Sequence, residues 1–306
     1  MRTIAHIINP VAAGPESDLR EAQPLVFESM RIAQMYVRDR VDVDLYSTQY
    51  PEDHVVIPDF LKKTPDLERS VLDVGLFRAP RKLPLMKDIL DRLYEASDAE
   101  YFIYTNVDII LLPHFYSAVY ALIQRGYDAF TINKRCVFAN VNGPEDLPVL
   151  WAEIGVSHPG FDCFVFRRDV YPQYDLGSIC IGAPLIGAAL AVNLAAHAQR
   201  FATFTDMHLT CHLRNDERWW AQGCHAYGFH NFEEYKKIYA HYCAEIQRFP
   251  DRVFADRLQK AAKYRPFSDM PLPWHRRCIQ QCIAVIPPFI RHRTLPRFLR
   301  RMLGKT

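Results

Sequence analysis

The sequence predicts an α/β fold, a mostly parallel twisted sheet with helices on both faces, followed by a helical C-terminal segment. Three observations predict it. β-type runs alternate with amphipathic helical stretches through the first half of the chain, as in a series of βαβ units. The run Tyr101 to Thr105 is almost wholly apolar and ends in the polar step Asn106-Val107-Asp108, with a second apolar run directly behind it. From Asn231 onward the spacing is helical and polar-aromatic. The expected division is therefore a sheet domain over residues 1–230 and a helical segment over 231–306 that ends in a basic amphipathic tail.

The first strand is Ile4 to Asn9. It stops at Asn9-Pro10, because proline offers no N–H to a sheet ladder. A loop with Gly14 and Pro15 leads to helical spacing over Leu25 to Arg38. Val41 to Tyr46 alternates apolar and acidic residues, as a half-exposed strand does. Pro51 to Pro65 reads as loop, and Ser70 to Val74 as a third strand. Pro84 to Ala96 is a helix with Leu85, Ile89, Leu90 and Leu93 on one face. Glu100 to Asp108 is the strongest strand. Pro113 to Gly126 is a helix closed by its glycine, and Ala129 to Asn133 is a further strand. Gly160 to Phe166 reads as a strand entered through a glycine turn. An Ala-rich core helix follows over residues 182–198, and Phe201 to Phe204 is a short strand. Pro184, Gly187, Asn193 and His197 interrupt that apolar helix, so it does not supply the roughly 20 apolar residues of a membrane span.

Composition narrows the function. A formal net charge of +2 over 306 residues is too small for a nucleic-acid partner. The 8 cysteines contain no C-x-x-C pair and no compact framework, so reduced thiols and a cytoplasmic protein are expected. The N-terminus reads as a strand and not as a signal peptide. No G-x-G-x-x-G follows the first strand and there is no P-loop, so a bound nucleotide would be held without those glycine cradles.

Asp108 is the leading candidate site residue. A carboxylate at a buried strand end needs a cation, a charged partner or hydrogen bonds, and strand ends are where α/β sheets bind ligands. The competing reading is a strand-end Asp that caps a turn. Asp162 lies among Phe161, Phe164 and Phe166, where desolvation would raise its pKa and poise it as a general base; the competing reading is a turn residue after Gly160, hydrogen-bonded to its own backbone. His158 is an alternative base. Arg78, Arg81, Lys82 and Lys87 precede or occupy the helix before the Asp108 strand and would either neutralise a diphosphate, as would Lys134 and Arg135, or simply form a solvated helix face. Asp206, His208 and His212 offer a zinc grouping if the two histidines share a helix face. Trp219 and Trp220, near Tyr227 and Phe229, offer faces to sugar rings or simply to the core.

Three pieces together resemble the GT-A glycosyltransferase superfamily: Ile7-Ile8-Asn9-Pro10-Val11, Tyr101 to Asp108, and Gly160-Phe161-Asp162-Cys163-Phe164-Val165-Phe166. The likeness covers about the first 215 residues, in element order and in these motifs. It implies transfer of a sugar from a nucleotide-diphosphate donor to a glycan or other hydroxyl acceptor, as in surface-polysaccharide synthesis. It implies Mn²⁺ or Mg²⁺ as cofactor. Asn106-x-Asp108 would be a divergent D-x-D element, with Asp108 on the cation and Asn106 on the ribose or on a water of the metal. His208 would complete the metal shell and Asp162 would be the base. Asn9 and Tyr46 would flank the nucleotide base, with Arg81 and Lys82 on the phosphates. An amide is a weaker cation ligand than a carboxylate, so Asn106 predicts a weak or dispensable metal requirement. Two other classes stand beside this one. One is a binding protein that senses a nucleotide sugar without turnover; the other is a metal-dependent hydrolase built on Asp206, His208 and His212.

The tail Arg291 to Leu303 sets Leu295, Phe298, Leu299, Met302 and Leu303 against Arg297, Arg300 and Arg301, with Lys305 beyond. Such a pattern suits peripheral contact with an anionic membrane, at its inner face for a cytoplasmic protein, and it equally suits a terminal helix packed on the domain.

Overall fold

The computed structural model describes residues 3–15, 17–158, 160–213 and 225–263. Strand β1 (Thr3–Ile8) leads through helix α1 (Leu19–Val37) to β2 (Asp42–Ser47) and β3 (Lys62–Lys63). Next come α2 (Met86–Ala96), β4 (Tyr101–Thr105), β5 (Ile110–Leu111), α3 (Phe115–Gln124) and β6 (Ala129–Ile132). They are followed by β7 (Arg135–Val137), α4 (Leu147–Ala152), β8 (Val156–Ser157) and β9 (Cys163–Arg167). The described chain closes with α5 (Ile186–His197), β10 (Phe201–Phe204), β11 (Thr210–Leu213), α6 (His225–Arg248) and α7 (Arg252–Lys263).

Among the described residues, seven strands form the main sheet in the order β10-β6-β9-β4-β1-β2-β3. Every neighbouring pair is parallel except those made by β9, which runs against β4 and β6. Helices cover both faces, and the alternation of side chains along the central strands shows why. Ala5 and Ile7 of β1, with Phe102 and Tyr104 of β4, pack on one side with α2, α5, α6 and α7. Ile4 and Ile8, with Tyr101 and Ile103, pack on the other with α1 and α3. A strand buried on both faces has no polar side to show, hence the unbroken apolar run that marks β4 in the sequence.

A second sheet of four short strands, in the order β5-β11-β7-β8, branches from the main one. Its strands are two to four residues long, too short for the alternation test to detect. Ser70 to Val74, expected as strand, is instead a 3₁₀ turn over Val71–Asp73. The Ser70 hydroxyl accepts from the Leu72 amide at 3.2 Å, and the Asp73 carboxylate accepts from the Ser70 amide at 2.6 Å. Such a reciprocal cap favours a helical turn over a strand.

The described residues lie in one compact unit, Met1–Tyr264. Helix α6 runs across position 230, where a domain boundary was expected, and α6 and α7 bury Tyr235, Ile238, Phe254 and Leu258 in the core that also holds Phe102 and Phe166. No helix of the described residues is long and apolar enough to cross a membrane. Trp219, Trp220 and the basic tail from Arg291 lie outside the described residues.

Candidate functional site

Register brings the polar strand ends together. Cys163, the first residue of β9, is in register with Thr105 at the end of β4 and with Ile132 at the end of β6. Because β9 is antiparallel to both, its start lies at the same sheet edge as their ends. Asn106 to Asp108, Asn133-Lys134 and Asp162 therefore emerge side by side. β1 adds Asn9 at this edge, since Ile7 pairs with Tyr104.

Beyond Asp108 the chain enters β5, which pairs antiparallel with β11 through Ile110 and Cys211. His212 follows Cys211 and so comes level with the Asp108 turn. Its Nε2 lies 3.1 Å from Asp108 Oδ2. The other carboxylate oxygen, Oδ1, is buried and has no hydrogen-bond partner among the described residues. Burial by itself would raise the Asp108 pKa. The hydrogen bond and charge of His212, with the nearby charge of Lys134, outweigh it and hold the acid down at about 2. Asp108 is thus an anion at any physiological pH. Asn106 is anchored: the Tyr104 hydroxyl donates to its Oδ1 at 2.8 Å.

Asp162 is buried among groups that stabilise its charge. Lys134 Nζ is 3.6 Å from Oδ1 and His158 Nδ1 is 3.4 Å from Oδ2, while the Lys134 backbone N–H donates to Oδ2 at 3.4 Å. The raised pKa expected from its aromatic surroundings is corrected here. Burial does push it up, but His158 and Lys134 push down harder, and the net shift is downward. A carboxylate so held is a weaker base than a desolvated one. Lys134 is itself shifted upward despite burial, through the charges of Asp162 and Asp108.

A cleft of about 650 Å³ opens beside these strand ends. Asn9, Arg81, Tyr104, Asn106 and Asp108 supply its polar edge, with Ser17 and Asp18 from the loop before α1. The facing wall is apolar: Leu83, Ile181, Ala183, Pro184 and Ile186. The loop carrying that wall turns through Gly182 at φ +79° and Leu185 at φ +74°, a left-handed conformation uncommon for a leucine. Asn231 of α6 holds the loop. Its Nδ2 donates to the carbonyls of Cys180 and Pro184 at 2.9 Å each, and its Oδ1 accepts from the Cys180 amide at 2.9 Å.

The remaining sequence candidates are placed as follows. Asn9 lines the cleft and donates to the Thr48 carbonyl at 2.7 Å. Tyr46 does not line it; its ring is buried in the core and its hydroxyl donates to the Ala96 carbonyl at 3.3 Å. Arg81 lines the cleft, whereas Lys82 pairs with Glu52 at 2.7 Å and lies over the Tyr50 ring. Lys87 pairs with Asp91 on its own helix. His208 is not on a helix face with His212, because residues 210–213 are strand. Burial, then the charges of Arg135 and His114, lower the His208 pKa, and its Nε2 has no hydrogen-bond partner among the described residues. Asp206 is exposed and accepts from the Thr205 hydroxyl. Among the described residues no three His, Cys, Asp or Glu side chains gather into a metal-holding group, so the zinc arrangement of Asp206, His208 and His212 does not form.

Sequence reasoning missed the Asp108–His212 pair, because the two residues are 104 apart and meet only through the second sheet. It also missed Asn231, which a helical, polar segment gives no reason to single out.

No protein-family model matches the sequence, and no curated protein sequence matches it. Solved structures do. Over 88% of this chain and 73% of the other, the structure is similar to TarS 1-349 from S. aureus in complex with UDP-GlcNAc, with TM-score 0.51 and 10% sequence identity. The chain has the GT-A fold. A weaker likeness, TM-score 0.43 and 16% identity over 78% of this chain and 79% of the other, is to glucosyl-3-phosphoglycerate synthase from Mycobacterium tuberculosis in complex with Mn²⁺, UDP-glucose and phosphoglyceric acid. In this GT-A sheet the antiparallel β9 lies between β4 and β6 and supplies Asp162 to the edge where Asp108 stands.

Proposed function

We propose that the protein transfers a glycosyl group from a nucleotide-diphosphate sugar to an acceptor hydroxyl. One observation carries the reading. Asp108 stands at the end of a central strand of a GT-A sheet, its carboxylate beside His212, with one buried oxygen unpartnered among the described residues, at the edge of a cleft large enough for a nucleotide. The UDP-GlcNAc in the TarS complex supports a nucleotide sugar as the donor class here. In the reaction the acceptor oxygen bonds to the anomeric carbon. The bond from that carbon to the diphosphate oxygen breaks with its electron pair, the nucleoside diphosphate leaves, and the acceptor proton passes to a base.

Each residue has a task in this reading. Asn9 and the end of β1 border the nucleoside, Arg81 faces the phosphates, and Asp108 and Asn106 border the diphosphate. A divalent cation fits the site. Asp108 Oδ1 lacks a partner among the described residues, and a carboxylate oxygen beside an imidazole nitrogen suits Mn²⁺ or Mg²⁺ when phosphate oxygens complete the shell. Asp108 and His212 would hold the cation, which when bound supplies positive charge to the departing diphosphate. Asn106→Asp adds a second carboxylate two residues from Asp108 and is expected to tighten Mn²⁺. Calorimetric Mn²⁺ titration of both forms checks this, and equal or weaker affinity in the variant would mean that position 106 does not face the cation.

The deciding experiment is a thermal-shift screen of UDP, GDP, ADP and their sugar conjugates, with and without Mn²⁺. A ligand at 100 times its Kd adds about 2.7 kcal/mol of stability, a readable shift. No stabilisation by any of them sinks the proposal. Release of free sugar or nucleoside diphosphate from the stabilising donor, without acceptor, separates an enzyme from a protein that only binds.

A further inference from the structure

The segment from Leu72 to Lys82 borders the cleft, which Arg81 and Leu83 help to line. Its ends are tied together by the Val71 amide, which donates to the Leu83 carbonyl at 2.9 Å. Its middle is fixed to α6. The Phe77 ring stacks on the buried Tyr227 ring at 4.2 Å. The Tyr227 hydroxyl donates to the Ala79 carbonyl at 2.8 Å and accepts from the Arg81 amide at 2.6 Å. A loop held this firmly nevertheless leaves Leu72, Val74 and Leu76 exposed, and Leu76 completely so. Beside it, Lys82 pairs with Glu52 at 2.7 Å. Glu52 belongs to the 3₁₀ turn Pro51–Val56, in which residues three apart stand one above the other. Val55, 82% exposed, is therefore on the same side as Glu52.

Single exposed apolar side chains are ordinary, but a group of them marks a contact surface. The charge and shape around this group say what it fits. Arg78 is exposed two residues after Leu76, and Arg81 and Lys82 follow. The one acid of the segment, Asp73, is taken up in capping Ser70. Among the described residues nothing walls Leu76 in, so it forms a protruding tip and not one side of a groove. A protein partner would have to supply a socket for such a tip, whereas a fluid apolar phase needs none. An apolar tip beside cations is the chemistry of an anionic lipid surface.

We propose that this loop docks the protein on an anionic membrane, with Leu76 among the lipid chains and Arg78 among the headgroups, and so holds the cleft close to the bilayer surface. The proposal stands on other residues than the basic tail from Arg291, and it does not depend on the transferase reading.

The test is co-sedimentation of the full chain with vesicles of phosphatidylcholine mixed with phosphatidylglycerol, and with vesicles of phosphatidylcholine alone. Wild type is expected to bind the anionic vesicles more tightly, and less so as salt rises. Leu76→Ser removes the apolar tip without adding charge. It is expected to lose about 10- to 100-fold of that affinity, the fold-change for returning one buried leucine to water, with an unchanged melting curve. Arg78→Gln is expected to lose roughly 5-fold on the anionic vesicles, the fold-change for one basic residue near such a surface. Leu76→Trp is expected to keep binding, and to show more fluorescence quenching by lipids brominated in the acyl chain than wild type shows. That last readout reports insertion at this position, whatever the tail does. The proposal is overturned if wild type does not bind anionic vesicles, if Leu76→Ser binds them as wild type does, or if Leu76→Trp adds no quenching. Binding carried by the tail alone would show itself as the second and third of these results together.

Discussion

Asp108→Ala is expected to lose nucleotide-sugar turnover by roughly 100-fold or more, the scale on which a fixed charge or dipole at a reacting group acts, while the protein stays folded. The residue lies in the turn after β4 and takes no part in the strand pairing that holds the sheet. Among the described residues its side chain meets one partner at hydrogen-bond distance, His212, across the second sheet. Removing the carboxylate costs that contact and leaves the two cores untouched. Turnover assayed beside circular dichroism and a melting curve separates loss of chemistry from loss of fold. A folded variant with wild-type turnover would take Asp108 out of the site, and with it the reading that the strand end is where the reaction happens.

Asn231→Ala is expected to destabilise the protein by about 3 kcal/mol or more. Asn231 is fully buried, and its amide joins α6 to the loop through three hydrogen bonds to main-chain groups of Cys180 and Pro184. Alanine leaves those main-chain groups without that partner, and each buried polar group left unsatisfied costs roughly 1–3 kcal/mol. For a chain of this size each kcal/mol lowers Tm by roughly 2–4 °C. The same loop forms the apolar wall of the cleft through Ile181, Ala183 and Pro184. Nucleotide affinity is therefore expected to fall together with stability. Urea unfolding measures the first effect, and a loss below about 1 kcal/mol would show that the loop is held by its other contacts, with Asn231 dispensable.

The two variants differ in how readily the sequence points to them. Asp108 is conspicuous because it interrupts an apolar run, and a charged group in such a place always requires a partner. Asn231 is one polar residue among many in a helical stretch, and its importance appears only once α6 is laid against the loop at residues 180–184. The basic residues show the same limit. Arg81 and Lys82 are neighbours in the chain and equal as candidates, yet Arg81 lines the cleft while Lys82 is turned away to Glu52 and Tyr50. Tyr46 was expected beside a nucleotide base, and the pleat of β2 turns it into the core instead.

What the sequence by itself determined is the set of elements whose signals are local: β1, β4, α2 and β10, the alternation of strands and helices, and the polar turn at Asn106 to Asp108. Hydrophobic periodicity and an interrupted apolar run need no distant residue to be read. What only the tertiary structure decided is everything that depends on which strand lies beside which. The reversed direction of β9 brings Asp162 to the edge held by Asp108 and Lys134. The pairing of β5 with β11 makes His212, not His208, the partner of Asp108. The sign of the Asp162 pKa shift followed from the same cause. Its aromatic neighbours in sequence argue for desolvation, but Lys134, brought to it by the sheet edge, and His158, four residues before it in the chain, supply the charge and hydrogen bonds that win. Pairing is set by long-range burial of many side chains at once, and no stretch of sequence carries that information alone.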